Sequence, residues 1–440
     1  MIFAATRSVC PVCLRVVEAR KRSEKDGIYL DKACPEHGRF STLIWEGDLP
    51  SYLRWNSNNS AIDPPRDARA ADRGCPYDCG LCAEHQRKGC CMVLELTRRC
   101  NLRCPVCFAA AGESAESDLP LSEIEKQYDY LMAHGGPFNI QLSGGEPTVR
   151  DDLPAIIRLG REKGFSFFQL NTNGLRLAAE PEYAAVLREA GLDTVFLQFD
   201  ALDDAVYETL RGRALLAEKL RCIDNCSEAG LGIVLVPVIA RGVNENQVGA
   251  ILRFALGRMP AVRGVHFQPI SYFGRCALER PERPVTIPAL LRMIEEQTGG
   301  ALRASDFSGG GAESPYCSFH ASYRLRDDGS LKCLPRRSGD GCCCTCSDDS
   351  RLSVAGQWSG SAPAFAADGE LEETSALDAF LEQTRLRTFA VSGMVFQDAW
   401  NLDLERLQRC HICEVDSAYG MVPFCAYNLT DSAGRALYRR

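Results

Sequence analysis

The 440-residue sequence has no long apolar run. Its opening, MIFAATRSVCPVC, contains no apolar stretch of signal-peptide length, and no later window approaches the ~18 uncharged apolar residues of a membrane span. The expectation is a cytoplasmic protein with no transmembrane segment. An excess of positive charge is missing too. Fifty Lys and Arg stand against 58 Asp and Glu, for a formal net charge of −8, which disfavours attraction to nucleic acid phosphates and predicts no nucleic acid partner. No solenoid repeat is visible. Cysteine, in contrast, is abundant. Twenty-three are too many for ordinary core packing, and a disulfide framework belongs to small secreted chains rather than to a cytosolic one of this length. Metal ligation is the economical explanation. The length allows two or three domains, and a hydrophobic content of 45% allows a substantial core.

The cysteines fall into groups. Cys10, Cys13 and Cys34 come first, then Cys75, Cys79, Cys82, Cys90 and Cys91, then Cys100, Cys104 and Cys107. Between 108 and 316 only Cys222, Cys226 and Cys276 occur, and that stretch alternates short β-type runs (MVLEL, FNIQLSGG, FSFFQLNTNG, TVFLQFDA, GIVLVPVI, VRGVHFQPI) with helical patterns. This order predicts about six βα units around a parallel sheet or barrel, with active-site groups at the C-terminal strand ends. Residues 55–74 read as a polar linker and 353–376, rich in Ala, Ser and Gly, as a mobile loop.

In LTRRCNLRCPVCF the gaps between Cys100, Cys104 and Cys107 are three and then two residues. A closed zinc site takes four ligands, usually from two separated pairs, and three close cysteines fit that pattern poorly. A 4Fe-4S cluster is also held by thiolates, and a loop that supplies only three leaves one iron open to a substrate or cofactor. The same CxxxCxxC spacing occurs at Cys75, Cys79 and Cys82, followed by Cys90. Four thiolates would close a second cluster suited to electron transfer, Cys90 held out would leave another open iron, and a zinc ribbon is the competing use. CPVC and CPEHG offer Cys10, Cys13, Cys34 and His37 as two knuckles for one tetrahedral ion, zinc or iron. Near the C-terminus, Cys410, Cys413 and Cys425, with Cys317 as a fourth, are candidates for an auxiliary cluster. The run Cys342, Cys343, Cys344 and Cys346 suits either cluster ligation or redox chemistry. Cys222 and Cys226, at helical spacing, read as core, and Tyr272 and Arg275 are substrate-contact candidates by position alone.

The triplet after a first strand, with Gly144, Gly145 and Glu146 ending the second, resembles the radical S-adenosylmethionine (radical SAM) superfamily over residues 92–275. The resemblance implies a partial (β/α)6 TIM-like barrel. In that family three cysteines bind a 4Fe-4S cluster whose fourth iron is chelated by SAM, and one electron cleaves SAM to a 5'-deoxyadenosyl radical. By the same resemblance Gly144 and Gly145 admit the SAM amino group, Glu146 orients their loop, and Asn171, Asn173, Gln198, Asp200 and Gln268 are candidates for SAM or substrate contact. The flanks SVCPVCLRVVEA, KACPEHGRF, CPYDCGLCAEHQ and GMVPFCAYN are similar to class D radical SAM methylases, which act on pterins, to tetraether lipid synthases, and to the Cys-rich TrsS radical SAM (seleno)protein group. RCHIC departs from the CxxH-type arrangement expected near the end of that family.

The combined expectation is an α/β protein of four parts: a Cys3His metal knuckle domain (1–50), a linker with an auxiliary cluster motif (51–91), a radical SAM core barrel (92–300) and a Cys-rich C-terminal domain (301–440). Its expected chemistry is reductive SAM cleavage for methylation or C–C bond formation at an unactivated carbon, in an anaerobic setting. One or two auxiliary 4Fe-4S clusters, a mononuclear zinc or iron, an unknown small-molecule, lipid or peptide substrate, and reduced ferredoxin or flavodoxin as electron donor complete it. A radical SAM peptide maturase and a non-catalytic iron–sulfur electron carrier are the alternatives.

Overall fold

The computed structural model describes residues 1–56, 62, 64–65, 68–112, 118–310, 313–335, 355–360 and 386–439. Alternating patterns at the N-terminus form an antiparallel sheet of β1 (Ile2–Val9), β2 (Val16–Ser23), β3 (Ile28–Cys34) and β4 (Gly38–Trp45), paired in chain order. Along β3, Ile28, Leu30, Lys32 and Cys34 are buried while Tyr29, Asp31 and Ala33 are more open, the period of two of a strand with one covered face. Lys32 is the polar exception in that buried row.

The core follows as β5 (Cys91–Glu95), β7 (Asn139–Ser143), β8 (Phe168–Thr172), β9 (Thr194–Gln198), β10 (Gly232–Val236) and β12 (Val262–Pro269). Each is parallel to the next, as βα units require. GIVLV in β10 is apolar throughout, as in strands covered on both faces. Helices Leu153–Glu162 and Leu216–Glu228 bury one stripe each, the latter placing Lys219, Cys222, Ile223 and Cys226 inside. Short pieces complete the region: β6 (Val106–Cys107) pairs with β13 (Arg275–Cys276), and β11 (Val238–Ile239) with β12.

The parallel run is longer than the six strands expected. β16 (Thr388–Met394) joins β12 in parallel, and β17 (Ile412–Asp416) joins β5 on the other side. Eight strands therefore run parallel in the order β17, β5, β7, β8, β9, β10, β12, β16. β14 (Ser318–Leu325) and β15 (Leu331–Cys333) extend one edge antiparallel, and β18 (Gly420–Pro423) extends the other. TFAVSGM follows the Ala, Ser and Gly-rich stretch and ICEVD lies within the Cys410 to Cys425 group, which hid their strand character.

The 353–376 stretch also departs from expectation where it is described. Residues 355–358 are helical, Gly232 leaves room for the Trp358 carbonyl, and the Trp358 ring packs 4.7 Å from Phe196 and 6.0 Å from His266. This turn lies against the N-terminal ends of the strands, opposite the cluster loop.

The small sheet docks through buried polar contacts with the segment after β16. Lys21 Nζ is 2.7 Å from Asp403 Oδ2, Thr6 Oγ1 donates to Asp403 Oδ1 at 2.7 Å, Ser8 Oγ to the Leu402 carbonyl at 2.5 Å, and Lys32 Nζ to the Ala399 carbonyl at 2.7 Å. No helix among the described residues is long and apolar enough to cross a membrane.

Candidate functional site

Residues 96–99 carry the chain from β5 to Cys100, and the turn after β7 is bonded to them. The Gly145 amide donates to the Thr97 carbonyl at 2.7 Å and the Glu146 amide to the Arg99 carbonyl at 2.9 Å. A Cβ on Gly144, whose φ is +131°, would fall 2.4 Å from the Thr97 oxygen, and one on Gly145 would fall 2.2 Å from the Arg99 oxygen. Only glycine permits this backbone approach. Glu146 is buried and fully engaged: Oε1 accepts from the Thr148 amide (3.1 Å), Thr148 Oγ1 (2.7 Å) and Thr172 Oγ1 (2.7 Å), while Oε2 accepts from the Asn173 amide (2.7 Å). Its carboxylate thereby ties the ends of β7 and β8 together.

Asn173 continues the connection, donating from Nδ2 to Asn101 Oδ1 at 2.7 Å within the cysteine loop. Asn171 belongs to a different network, donating to Gln141 Oε1 at 3.2 Å and accepting from Gln169 at 2.7 Å. Gln268 lies at the end of β12, in register with Val238.

Asp200 is completely buried and pairs bidentately with Arg211, Nε to Oδ2 at 2.7 Å and Nη2 to Oδ1 at 2.8 Å. Arg211 Nη1 donates to the Val106 carbonyl at 3.1 Å, between two of the loop cysteines. Gln198, with its amide oxygen toward Arg211, accepts at 3.1 and 3.2 Å. Arg211 reaches this point because Asp203 caps its helix, Asp204–Arg211, and Gly212 (φ +87°) ends it. Lys219, also fully buried, donates to the Asn173 carbonyl at 2.5 Å, and burial holds its ammonium down to about 8. Arg275 donates to the carbonyls of Cys104 (2.8 Å) and Ala111 (2.7 Å), so this side chain clamps the loop.

Burial pushes the Cys100 thiol up to about 12, with Glu146, Cys104 and Cys107 adding to the rise. Burial also raises Cys104, opposed by the nearby Arg211 and Lys219. Three thiols on one loop, costly to ionise unless a metal takes the charge, with two buried cations behind them, form a donor set that fits an iron–sulfur cluster.

At the knuckles the ligand atoms of Cys10, Cys13, Cys34 and His37 all lie within 4.8 Å of one another. Cys34 Sγ is 3.5 Å and Cys10 Sγ 3.7 Å from His37 Nδ1, and Cys13 and Cys34 are 4.0 Å apart. No other group of potential ligands among the described residues is drawn as close. A single tetrahedral ion requires such convergence, whereas a cubane spreads its ligands wider.

The remaining cysteines regroup relative to the sequence expectation. Cys75 and Cys79 share a hydrogen bond that raises the Cys75 thiol, and Cys82 lies close to both. Cys90 starts at the foot of β5, its amide donating to the His411 carbonyl at 2.8 Å. Cys317, Cys410 and Cys425 are mutual neighbours, with burial the main cause of raised thiols in each. Cys413 lies near Cys410 of that group and also near Cys79 and Cys91. Cys342, Cys343, Cys344 and Cys346 lie outside the described residues. Arg211 and Lys219 were not singled out from the sequence, since a basic residue on a helix gives no sign of burial before its partners are placed.

Residues 94–255 match the radical SAM superfamily, and residues 2–46 match the HMPTM N-terminal zinc ribbon domain. The chain is 40% identical over 306 residues to the 7,8-dihydro-6-hydroxymethylpterin dimethyltransferase of Methanocaldococcus jannaschii, covering 69% of this chain and 60% of that one. It is 31% identical over 183 residues to the GTP 3',8-cyclase of Rhodopirellula baltica, covering 40% and 50%. The chain thus spans about half to three fifths of the length of these two relatives. Among solved structures, Streptococcus suis SuiB bound to precursor peptide SuiA is similar at a TM-score of 0.42 and 15% identity, over 67% of this chain and 69% of that one. With a cysteine loop, a Gly-Gly-Glu turn and a parallel α/β sheet arranged in this order, residues 94–255 carry the motifs and fold of the radical SAM superfamily.

Proposed function

We propose that this chain is a radical SAM enzyme that methylates, or forms a C–C bond at, an unactivated carbon of a pterin-class small molecule. The observation that carries the reading is the bonding of the Gly-Gly-Glu turn to residues 97–99, which places it beside the Cys100, Cys104 and Cys107 loop. The relationship to the pterin dimethyltransferase supports the substrate class. Cys100, Cys104 and Cys107 would hold a 4Fe-4S cluster, which when bound would supply the electron for SAM cleavage. The protein fixes the loop with Arg211, Arg275 and Asn173, and aligns the ends of β7 and β8 through Glu146. Asn171, Gln198, Asp200 and Gln268 line the strands around that position.

The finer assignments follow the same reading. Cys10, Cys13, Cys34 and His37 hold a structural zinc or iron, with residues 1–50 as their domain. Cys75, Cys79 and Cys82 hold one auxiliary 4Fe-4S cluster, to which Cys90 and Cys413 are the candidate fourth ligands, and Cys317, Cys410 and Cys425 hold another. Residues 51–91 and 92–300 are further units, and 301–440 adds β16 and β17 to the sheet of the latter. Reduced ferredoxin or flavodoxin in an anaerobic cytoplasm provides electrons.

The test is anaerobic reconstitution with iron and sulfide, dithionite reduction, and assay for 5'-deoxyadenosine beside a Cys100→Ala, Cys104→Ala, Cys107→Ala variant, with and without 7,8-dihydro-6-hydroxymethylpterin. Product from the intact protein alone, with a mass gain on the pterin, is the expected result. Full iron content with no 5'-deoxyadenosine would sink the enzyme reading. 5'-Deoxyadenosine with an unchanged pterin would remove the substrate class and favour a peptide.

A further inference from the structure

A cavity lies in the seam between the small sheet and the barrel, away from the Gly-Gly-Glu turn. Thr42 and Ile44 of β4, Tyr272 after β12, Thr286 at the cap of helix Ile287–Gln297, and Trp400 and Asn401 after β16 contribute to its walls, together with two arginines, Arg280 and Arg406. Arg280 is over half buried and lies 4.8 Å above the Trp400 ring, with one hydrogen bond, Nη2 to Thr42 Oγ1 at 3.1 Å. Among the described residues it has no carboxylate within ion-pair distance. Arg406 is 9% exposed; its Nη2 reaches Cys317 Sγ at 3.4 Å and the Val395 carbonyl at 3.3 Å, and its Nε has no partner.

Asp398, the acid in the lining, is already occupied. Its oxygens accept from the amides of Tyr272 and Trp400, both at 2.9 Å. Burial, only partly offset by Asp398, lowers the Arg280 guanidinium, which marks a charge held without full compensation. Beside Thr286, Arg241 and Arg292 lie 2.9 and 2.5 Å from Glu46, and Arg283, paired with Asp26 at 2.5 Å, is 4.0 Å from the same carboxylate. In a chain of net charge −8 this is a local concentration of guanidinium groups. Arg280 without a paired carboxylate, Arg406 with an unpartnered Nε although Cys317 and Asp403 offset its charge, two threonine hydroxyls and a side-chain amide around one cavity are the donors that an oxyanion needs.

We propose that this seam binds a phosphate group, with Arg280 and Arg406 as its cationic ligands and Thr42, Thr286 and Asn401 as neutral donors. The site is independent of which reaction the cluster loop initiates. β13 begins three residues after Tyr272 and pairs with β6 of the cysteine loop, so one short strand pair links the Tyr272 wall of the cavity to that loop.

Equilibrium dialysis of radiolabelled inorganic phosphate against the full metal-loaded chain tests this. Saturable binding that weakens about tenfold or more in Arg280→Gln, the value of one lost charge-assisted contact, and less in Arg280→Lys, is expected. Arg258→Gln, a distant arginine paired with Asp224, should bind like the wild type. Thr42→Val, a milder change, should weaken binding in the same direction should Arg280→Gln fail to fold. Absence of saturable binding, equal binding by Arg280→Gln, or displacement of phosphate by equimolar acetate would overturn the assignment.

Discussion

Arg211 holds Asp200 with two nitrogens and the carbonyl of Val106 with the third, so one guanidinium joins the end of β9 to the cysteine loop. Removing one partner of a buried pair costs about 3–5 kcal/mol because the other charge is left uncompensated. Asp200→Asn and Arg211→Gln should therefore lower the denaturant midpoint of the apoprotein. Arg211→Gln should also shift the cluster's reduction midpoint to a more negative value in an EPR-monitored titration, since a cation beside Cys104 and Cys107 favours the added electron. Arg211→Lys retains the charge but not the fork, so it should restore most of the potential and little of the stability. An unchanged midpoint in Arg211→Gln would limit this arginine to a structural role.

Gly144→Ala and Gly145→Ala place a methyl group 2.4 and 2.2 Å from backbone oxygens that have no room to retreat without moving the cysteine loop. Both variants should fold, because the contact is at the strand ends rather than in the core, but lose at least tenfold in 5'-deoxyadenosine formation. Circular dichroism and the product assay together check this, and wild-type activity in either variant would remove the close approach from the argument.

Burial holds His266 down to about 4, from an ordinary value near 6.5. Its surroundings are the rings of Phe196 and Trp358, Ser392 Oγ at 2.9 Å, and the more distant charge of Glu313, which opposes the shift. The unfolded chain takes up a proton here that the folded chain refuses. The contribution of neutral His266 is thus fully present above pH 6.5 and is lost as the pH falls toward 4. It amounts to about 3 kcal/mol at most. Urea midpoints measured at pH 7.5 and 5 should fall less in His266→Gln than in the wild type.

The four knuckle ligands predict that Cys34→Ser or His37→Ala loses one equivalent of metal per chain. The effect should extend beyond the small sheet, because Lys32, on β3 with Cys34, holds the Ala399 carbonyl and Lys21, on the neighbouring β2, holds Asp403. Hydrogen exchange should therefore rise in residues 395–407 as well as in 2–46. Exchange confined to the first 46 residues would show that the seam does not transmit the loss.

The parallel core was legible because β5, β7, β8, β9, β10 and β12 are apolar runs separated by helical patterns, which fixes both type and order. β16 and β17 were not, since both lie far along the chain from the βα units and no helical pattern ties them to that alternation. Convergence of Cys10, Cys13, Cys34 and His37 could be anticipated from two knuckles at hairpin spacing. The neighbours of Cys413 could not, because strand pairing between β17 and β5 is what brings Cys413 near Cys91 and Cys79. Arg275 was visible as a residue after the last core strand, but its partners are loop carbonyls, which leave no trace in sequence.

The pairing of β5 with β17 also sets an order of assembly. The first core strand receives its outer neighbour from near the C-terminus, and residues 424–439 lie over the cysteine loop, with Phe424 5.7 Å from Phe108 and Arg439 5.9 Å above the same ring. On a growing chain the loop carrying Cys100 emerges and folds with β7 and β8 while that flank is still open. β17 and residues 424–439 therefore complete the surroundings of that loop last, while Cys100 and Cys107 stay partly exposed in the finished fold.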